Sequence, residues 1–152
     1  MTSPDEIKKL AWQRLEEAMI LYKNGKCDGS FYLAGYSVEL MFKAKICERL
    51  GIPNLFDETD SATNQISGIS DIRKSMKTHN LFTLLIYSGL KLKFDADKAK
   101  NMNLMKSNSL LFSSWNENAR YKPCGHMKDK DVESLINLLS DKDGILKWIE
   151  QN

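Results

Sequence analysis

Two charged residues stand four positions apart in the most apolar stretch of the chain. Glu39 and Lys43 lie within the segment YLAGYSVELMFKA (residues 32–44), and a glutamate four residues before a lysine is the favourable order for an ion pair on one helix face. Burying either charge alone is costly, so we expect them to pair. The pair either fixes helix packing or forms a polar anchor inside a ligand cleft. In the second case Tyr36 is a further candidate ligand-binding residue.

Three other residues carry side chains that can handle protons, phosphates and bases. His79 lies at the predicted start of a helix, where the helix dipole favours the neutral imidazole. A neutral histidine can act as a base toward a hydroxyl group, and a capping or loop histidine fits the position equally well. Arg120 can bind a phosphate through two hydrogen bonds, and Tyr121 can stack on a base. Alternatively, this pair ties its loop to the rest of the domain through a carboxylate such as Glu39 or Glu117.

The cysteines and histidines do not form a metal-binding pattern. Cys124 and His126 have Cys-x-His spacing, but a zinc site usually needs four ligands and the sequence offers no second pair at suitable spacing. Cys27 and Cys47 are interpreted as small core residues. The sequence also contains no glycine-rich phosphate loop of the Walker or dinucleotide-binding kind. We therefore expect neither a metal nor a cofactor, and a nucleotide would need another type of site.

Two long helices are predicted to position the first half of these residues. Residues 5–23 place apolar side chains at three- and four-residue spacing, which predicts an amphipathic helix, with Ser3 or Asp5 as its N-cap. Residues 28–50 are apolar on nearly every side, with Asp28 as the expected N-cap. A helix of this kind is normally the buried centre of a bundle.

The rest of the chain is predicted to contain a long polar segment and further helices. Gly51 fits a left-handed C-cap, and residues 51–77 are interpreted as a polar loop or insertion with a short helix near 69–76. Further helices are predicted over residues 80–89, over 95–115, and from 129 onward with a break at 143–144. The helix over 95–115 is expected to bury Ala99, Met102, Met105 and Phe112. No strand pattern appears, so the fold class is all-α: a single domain over residues 1–152, built as an up-and-down bundle of about five helices.

The second predicted helix resembles a known family. Residues 32–44 are similar to the second-helix signature of the HEPN (higher eukaryotes and prokaryotes nucleotide-binding) domain. Residues 14–18 resemble its first-helix pattern, and residues 79–85 resemble its H-x-L-x-x-L segment. Trp115 with residues 120–121 resembles the aromatic residue and Arg-Tyr pair before the family's final helix. The resemblance implies a HEPN-like fold and binding of RNA or a nucleotide.

The resemblance also implies candidate catalytic residues. HEPN ribonucleases carry an arginine followed four to six residues later by a histidine, a spacing met by Arg73 with His79 and by Arg120 with His126. In such metal-independent cleavage the RNA 2′-hydroxyl attacks the phosphate, histidine moves the proton and arginine stabilises the developing charge. Both pairs depart from the pattern. The first spans a predicted loop–helix boundary, and in the second Tyr121 replaces a small polar residue.

Net charge and hydropathy limit which nucleic acids and membranes the protein is expected to bind. A net charge of +2 is small for a nucleic-acid-binding domain, so charge permits nucleic acid as a partner without arguing for it. No DNA partner is expected, and RNA would need a local basic patch. That patch would combine Arg73, Lys74 and Lys77 with Arg120, Lys122, Lys128 and Lys130. The chain has no apolar run of the ~20 residues that a membrane span requires, and its three cysteines are odd in number and suit a reducing compartment. We expect a soluble, cytoplasmic protein without a membrane partner.

Two functional hypotheses follow. The first is a HEPN-like domain that binds RNA or a nucleotide. The enzymatic version of this hypothesis is a metal-independent ribonuclease of a toxin–antitoxin or defence system. The resemblance adds a homodimer and a nucleotidyltransferase-type partner protein. The second hypothesis is a non-catalytic homodimeric interaction module that binds a partner protein or a small ligand. Ribonuclease action requires an arginine and a histidine exposed together within reach of one phosphate.

Overall fold

Helices make up all the regular structure that the computed structural model describes, which covers residues 3–152. They are α1 (Pro4–Lys23), α2 (Cys27–Leu50), α3 (Ser61–Asn64), α4 (Ile69–Met76), α5 (Leu81–Tyr87), α6 (Lys91–Lys98), α7 (Met102–Ser107), α8 (Asp129–Ser140) and α9 (Ile145–Gln151), with a π-helical turn at Asn108–Phe112 and a 3₁₀ helix at Glu117–Tyr121. The all-α class is confirmed. The chain is divided into more and shorter helices than the about five that were expected.

The central position of α2 is confirmed. Helix α1 packs along α2, and α5, α8, α9 and the 3₁₀ helix also contact it. Most of its residues from Phe31 to Cys47 are buried, which matches a sequence that is apolar on all sides. Gly35 lets Trp115 lie close to the backbone of α2, because a Cβ at this position would overlap the indole. Gly51 ends the helix in the left-handed conformation at φ 66°, as the sequence predicts.

The N-cap predictions are right for one long helix and wrong for the other. Ser3 caps α1 through a capping box with Glu6, so it is Ser3 and not Asp5 that caps this helix. Helix α2 instead begins one residue before Asp28, and no side chain caps it. The Asp28 carboxylate is used elsewhere, because it accepts hydrogen bonds from backbone N–H groups of the loop before α8. A local capping rule cannot foresee a partner about a hundred residues away.

The polar segment over residues 51–77 is more ordered than a loop. The predicted short helix is confirmed as α4, and α3 is an additional turn of helix that Asp60 caps. Arg73 of α4 is 9% exposed and donates hydrogen bonds to the Leu55 carbonyl at 2.7 Å, the Asn64 side chain at 3.0 Å and the Asp57 carbonyl at 3.3 Å. One buried guanidinium therefore joins three parts of the segment.

The single helix predicted over residues 95–115 is wrong. The chain forms α6, then α7, and then the π-helical turn. Asn101 begins α7 anew by accepting hydrogen bonds from the N–H groups of Asn103 and Leu104. This restart shifts the buried face, so three residues expected to be inside lie outside, namely Ala99, Met102 and Met105. Phe112 does pack inward, against Phe42, Phe82 and Phe94. The buried apolar side chains of α6, α7 and the π-helical turn are Phe94, Leu104 and Leu111.

The C-terminal helices agree with the sequence. Helix α8 begins at the predicted Asp129 and buries Val132, Leu135, Ile136 and Leu139. The chain breaks before Gly144 and continues as α9. None of the helices within residues 3–152 combines the length and apolarity that crossing a lipid bilayer would require.

Candidate functional site

A buried carboxylate lies at the centre of the candidate site. Glu39 of α2 is 0% exposed, and its Oε1 atom accepts a hydrogen bond from Lys43 Nζ at 2.6 Å. The expected pairing of these two residues is thereby confirmed. A second partner approaches from the other side: Nδ1 of His79 lies 3.0 Å from Oε1 and 3.1 Å from Oε2 of the same carboxylate. The structure therefore adds His79, which sequence reasoning had considered separately, to the expected Glu39–Lys43 pair.

Local structure fixes the position of His79. The residue lies just before α5, which begins with Asn80 as its N-cap, and the Asn80 side chain accepts a hydrogen bond from the N–H of Thr83 at 2.9 Å. The Thr78 hydroxyl in turn accepts one from the N–H of Asn80 at 3.1 Å. The predicted placement of His79 at a helix start is confirmed, and the imidazole is anchored to α2 at the same time.

The geometry assigns different roles to the two ring nitrogens of His79. An ionised Glu39 can only accept hydrogen bonds, so Nδ1 must carry the proton that it donates. In the neutral imidazole Nε2 is then the acceptor. The His79 side chain is 47% exposed, and Nε2 has no hydrogen-bond partner among residues 3–152. A carboxylate that orients an imidazole in this way leaves Nε2 available to take a proton from a bound hydroxyl group.

A row of aromatic rings lies on the same helix. The rings of Tyr32 and Tyr36 stack with centroids 6.3 Å apart and planes 14° apart, and Tyr32 also stacks on Trp115 at 6.1 Å. Burial, and then the nearby Glu39 carboxylate, raise the pKa of the Tyr36 phenol, which therefore stays protonated at neutral pH. Together Tyr32, Tyr36, Glu39 and Lys43, three or four residues apart in sequence, form what we call the α2 stripe. His79 contacts it at Glu39.

The first arginine–histidine pair is not arranged as a ribonuclease pair. Three of the five N–H donors of Arg73 are used within its own segment, whereas His79 is bound to α2. The exposed edge of Arg73 lines a surface cavity of about 400 Å³ with Lys74 and Lys77. These three basic residues of the expected patch thus lie together. The Arg73 guanidinium, however, already donates hydrogen bonds within its own segment.

In the second arginine–histidine pair, Arg120 with His126, the arginine is exposed and the histidine is held in place. Arg120 is exposed, and its guanidinium carbon lies 4.9 Å above the ring of the exposed Tyr121. His126 is held by its Nδ1, which lies 3.1 Å from the Asp28 carboxylate and 3.2 Å from the Pro123 carbonyl oxygen. Its Nε2 is buried without a partner in the described part of the chain. Arg120 is therefore free to bind a ligand, while His126 is fixed to its loop.

Asp28 anchors the loop that carries these residues. Its carboxylate accepts the N–H of Gly125 at 2.6 Å and that of Met127 at 3.0 Å. These two hydrogen bonds, more than the nearby His126, hold the pKa of Asp28 below its usual range. The loop before α8 is thus tied to the first turn of α2.

The cysteines and acidic residues form no metal site in residues 3–152, where no group of three potential ligands is placed to hold an ion. All three cysteines are free thiols. Burial raises the pKa of the Cys47 thiol to about 11, whereas Cys124 is exposed.

Sequence reasoning missed the contribution of Tyr32 and Trp115. Tyr32 precedes Tyr36 by four residues, a spacing that places two side chains on one helix face, so their stacking could have been inferred. The contact with Trp115 could not, because it joins residues 83 positions apart.

Comparison with known proteins adds no relative. No protein-family model matches the chain, and neither curated proteins nor solved structures show significant similarity to it. A proposal of function therefore depends on the chemistry of the site and on the resemblance of residues 32–44.

Proposed function

We propose that the chain is a HEPN-like helical domain that binds RNA or a nucleotide along the α2 stripe. The observation that carries the proposal is the half-exposed His79, held by the buried Glu39 on the helix that also presents the stacked Tyr32 and Tyr36. The HEPN resemblance of residues 32–44 falls on this helix. Binding and proton-transfer groups thus occupy one surface.

The aromatic and cationic groups support recognition of single-stranded RNA. Unstacked bases bind aromatic rings, each stack contributing about 1–3 kcal/mol, and Tyr36 is half-buried with its partner ring already in place. Arg120, which lines the same cavity as Tyr32, offers a guanidinium for phosphate. A single strand is favoured because its bases are accessible, whereas a duplex hides them.

A ribonuclease reaction at this surface would use His79 as the base. The imidazole Nε2 takes the proton of the RNA 2′-hydroxyl, the 2′-oxygen forms a bond to phosphorus, and the bond to the 5′-oxygen breaks. That oxygen takes a proton from water or from the imidazolium. Glu39 stabilises the imidazolium that forms. Neither arginine–histidine pair has both members free, so the geometry supports binding more directly than cleavage.

The test is RNA binding by the purified chain, measured by fluorescence anisotropy with a labelled single-stranded RNA of mixed sequence in EDTA. Tyr36→Ala should weaken binding, whereas Tyr87→Ala, which removes a partly exposed tyrosine from α5, should not. The same samples are then separated on a denaturing gel, on which cleavage that disappears in His79→Gln would establish the reaction. Absence of binding by the wild type at low salt would refute the proposal.

A second candidate function, the non-catalytic homodimeric module, is favoured by a different observation. Large apolar side chains lie exposed on α5 and α6, with Phe82 at 45%, Ile86 at 50% and Leu92 at 85%. Sedimentation equilibrium over a hundredfold concentration range would test self-association, and Ile86→Lys should abolish it. A partner protein of the nucleotidyltransferase type, or a role in toxin–antitoxin or defence systems, remains an expectation of the resemblance alone.

A further inference from the structure

A small cavity lies between the first turns of α2 and the 3₁₀ helix with the loop that follows it. Its volume is about 280 Å³, and its wall includes Gly29, Tyr32, Ala119, Arg120 and Lys122. This volume lies just below the roughly 300–1,000 Å³ of pockets that enclose drug-sized ligands, so the cavity is too small for a larger cofactor and could take at most one nucleotide unit. It combines an aromatic side chain with two cations.

The aromatic wall of the cavity is fixed in place. The Tyr32 ring stacks against Tyr36 and Trp115, and the indole N–H of Trp115 donates a hydrogen bond to the Tyr32 carbonyl at 3.1 Å. Gly35 allows the indole to lie this close to α2. A ring that already has two ring neighbours loses little freedom when a base packs against the part of it that lines the cavity, which favours binding.

The two cations of the cavity are available to an anion. Within residues 3–152 neither Arg120 nor Lys122 takes part in an ion pair, whereas Lys43, on the same α2 stripe, is paired with Glu39. The one carboxylate in the wall belongs to Asp28, and it is already satisfied by two backbone N–H groups and by His126. With two cations and one carboxylate in its wall, the cavity keeps an excess of positive charge.

From these observations we propose that the cavity binds a nucleoside monophosphate unit, either free or as one residue of an RNA strand. The base packs against the part of Tyr32 that lines the cavity, and the phosphate is bound by Arg120 and Lys122. The inference rests on the proposed function, to which it adds a defined binding position and the requirement for a phosphate. The Arg120 guanidinium lies against the Tyr121 ring, which restricts its orientation. Its N–H groups can then donate hydrogen bonds to two phosphate oxygens.

Isothermal titration calorimetry with adenosine 5′-monophosphate, adenosine and inorganic phosphate tests the proposal. The monophosphate should bind more tightly than either fragment. Arg120→Gln should weaken its binding by roughly ten- to a hundredfold, as expected for hydrogen bonds to a charged group. Lys142→Gln, which removes an exposed lysine between α8 and α9 and outside the cavity, is the matched control and should leave the affinity unchanged. Tyr32→Phe should keep the affinity, and Tyr32→Leu should lower it, with folding checked by circular dichroism.

The outcomes separate this inference from the proposed function. Equal affinities for the monophosphate in wild type and Arg120→Gln, or no preference over adenosine, would overturn the cavity assignment. If RNA binding then still depends on Tyr36, the proposed function stands without the cavity. If wild type binds neither the monophosphate nor RNA, both are refuted. Competition of the monophosphate with labelled RNA would support a shared position, and binding of both without competition would restrict the inference to the free nucleotide.

Discussion

Replacement of Glu39 by alanine is the most informative perturbation of the site. The side chain is 1% exposed and Lys43 is 13% exposed, so Glu39→Ala leaves an ammonium group with little access to water and no counter-ion. Removing one partner of a buried pair costs about 3–5 kcal/mol. Lys43 is partly exposed and its long side chain can reach solvent, which reduces the cost of leaving it unpaired. We therefore expect a loss of about 3 kcal/mol in the free energy of unfolding.

Urea denaturation followed by circular dichroism measures this loss. The midpoint should fall while the slope stays constant, which would identify a change of stability and not of the unfolded state. For a domain of this size the loss corresponds to a fall of roughly 6–12 °C in Tm. Glu58→Ala is the control, because Glu58 forms an exposed ion pair with Lys77 and exposed pairs contribute little. Should both variants unfold at the same urea concentration, Glu39 would not be the buried anchor described above.

Three further predictions concern other parts of the molecule. Arg73→Met removes the donor that joins residues 55, 57 and 64, so limited proteolysis should cut residues 51–77 faster than in wild type while α2 stays protected; equal rates would contradict the role assigned to Arg73. Asp28 has a lowered pKa in the folded state, so its stabilising effect is present above the unfolded pKa of about 3.9 and is lost as the pH falls through the folded value. Unfolding free energies measured from about pH 5 to pH 2 should therefore fall less steeply for Asp28→Asn than for wild type, and parallel curves would contradict this. Finally, a thiol reagent at pH 7 should modify the exposed Cys124 much faster than the buried Cys47, whose pKa of about 11 keeps the thiol protonated. Mass spectrometry measures the two labelling rates, and comparable rates would refute this prediction.

The sequence predicted those features that depend on neighbours within one or two helical turns. The boundaries of α1, α4 and α8, the left-handed Gly51 and the Glu39–Lys43 pair all follow from local spacing. The restart of α7 was missed because Asn101 competes with helix continuation, and apolar spacing alone does not reveal that competition.

The site could be predicted only in pieces for a related reason. Glu39 and His79 were both identified as candidates, but their contact spans forty residues and depends on where α5 packs on α2. The tie between Asp28 and the loop at Gly125 is longer still. Local patterns identify residues with useful chemistry, whereas tertiary packing decides which of them meet.

A double substitution can separate the structural from the functional role of Glu39. Replacing a buried ion pair by apolar side chains of similar size is often neutral or stabilising by about 1–4 kcal/mol, so Glu39→Leu combined with Lys43→Met should recover most of the stability that Glu39→Ala loses. The double variant still lacks the carboxylate that orients His79. If Glu39 serves the bound RNA through His79, anisotropy or cleavage by this stable variant should fall to the level of His79→Gln. If instead the stable variant behaves as wild type toward RNA, the Glu39–His79 contact only supports the fold, and RNA recognition must depend on the tyrosines and Arg120.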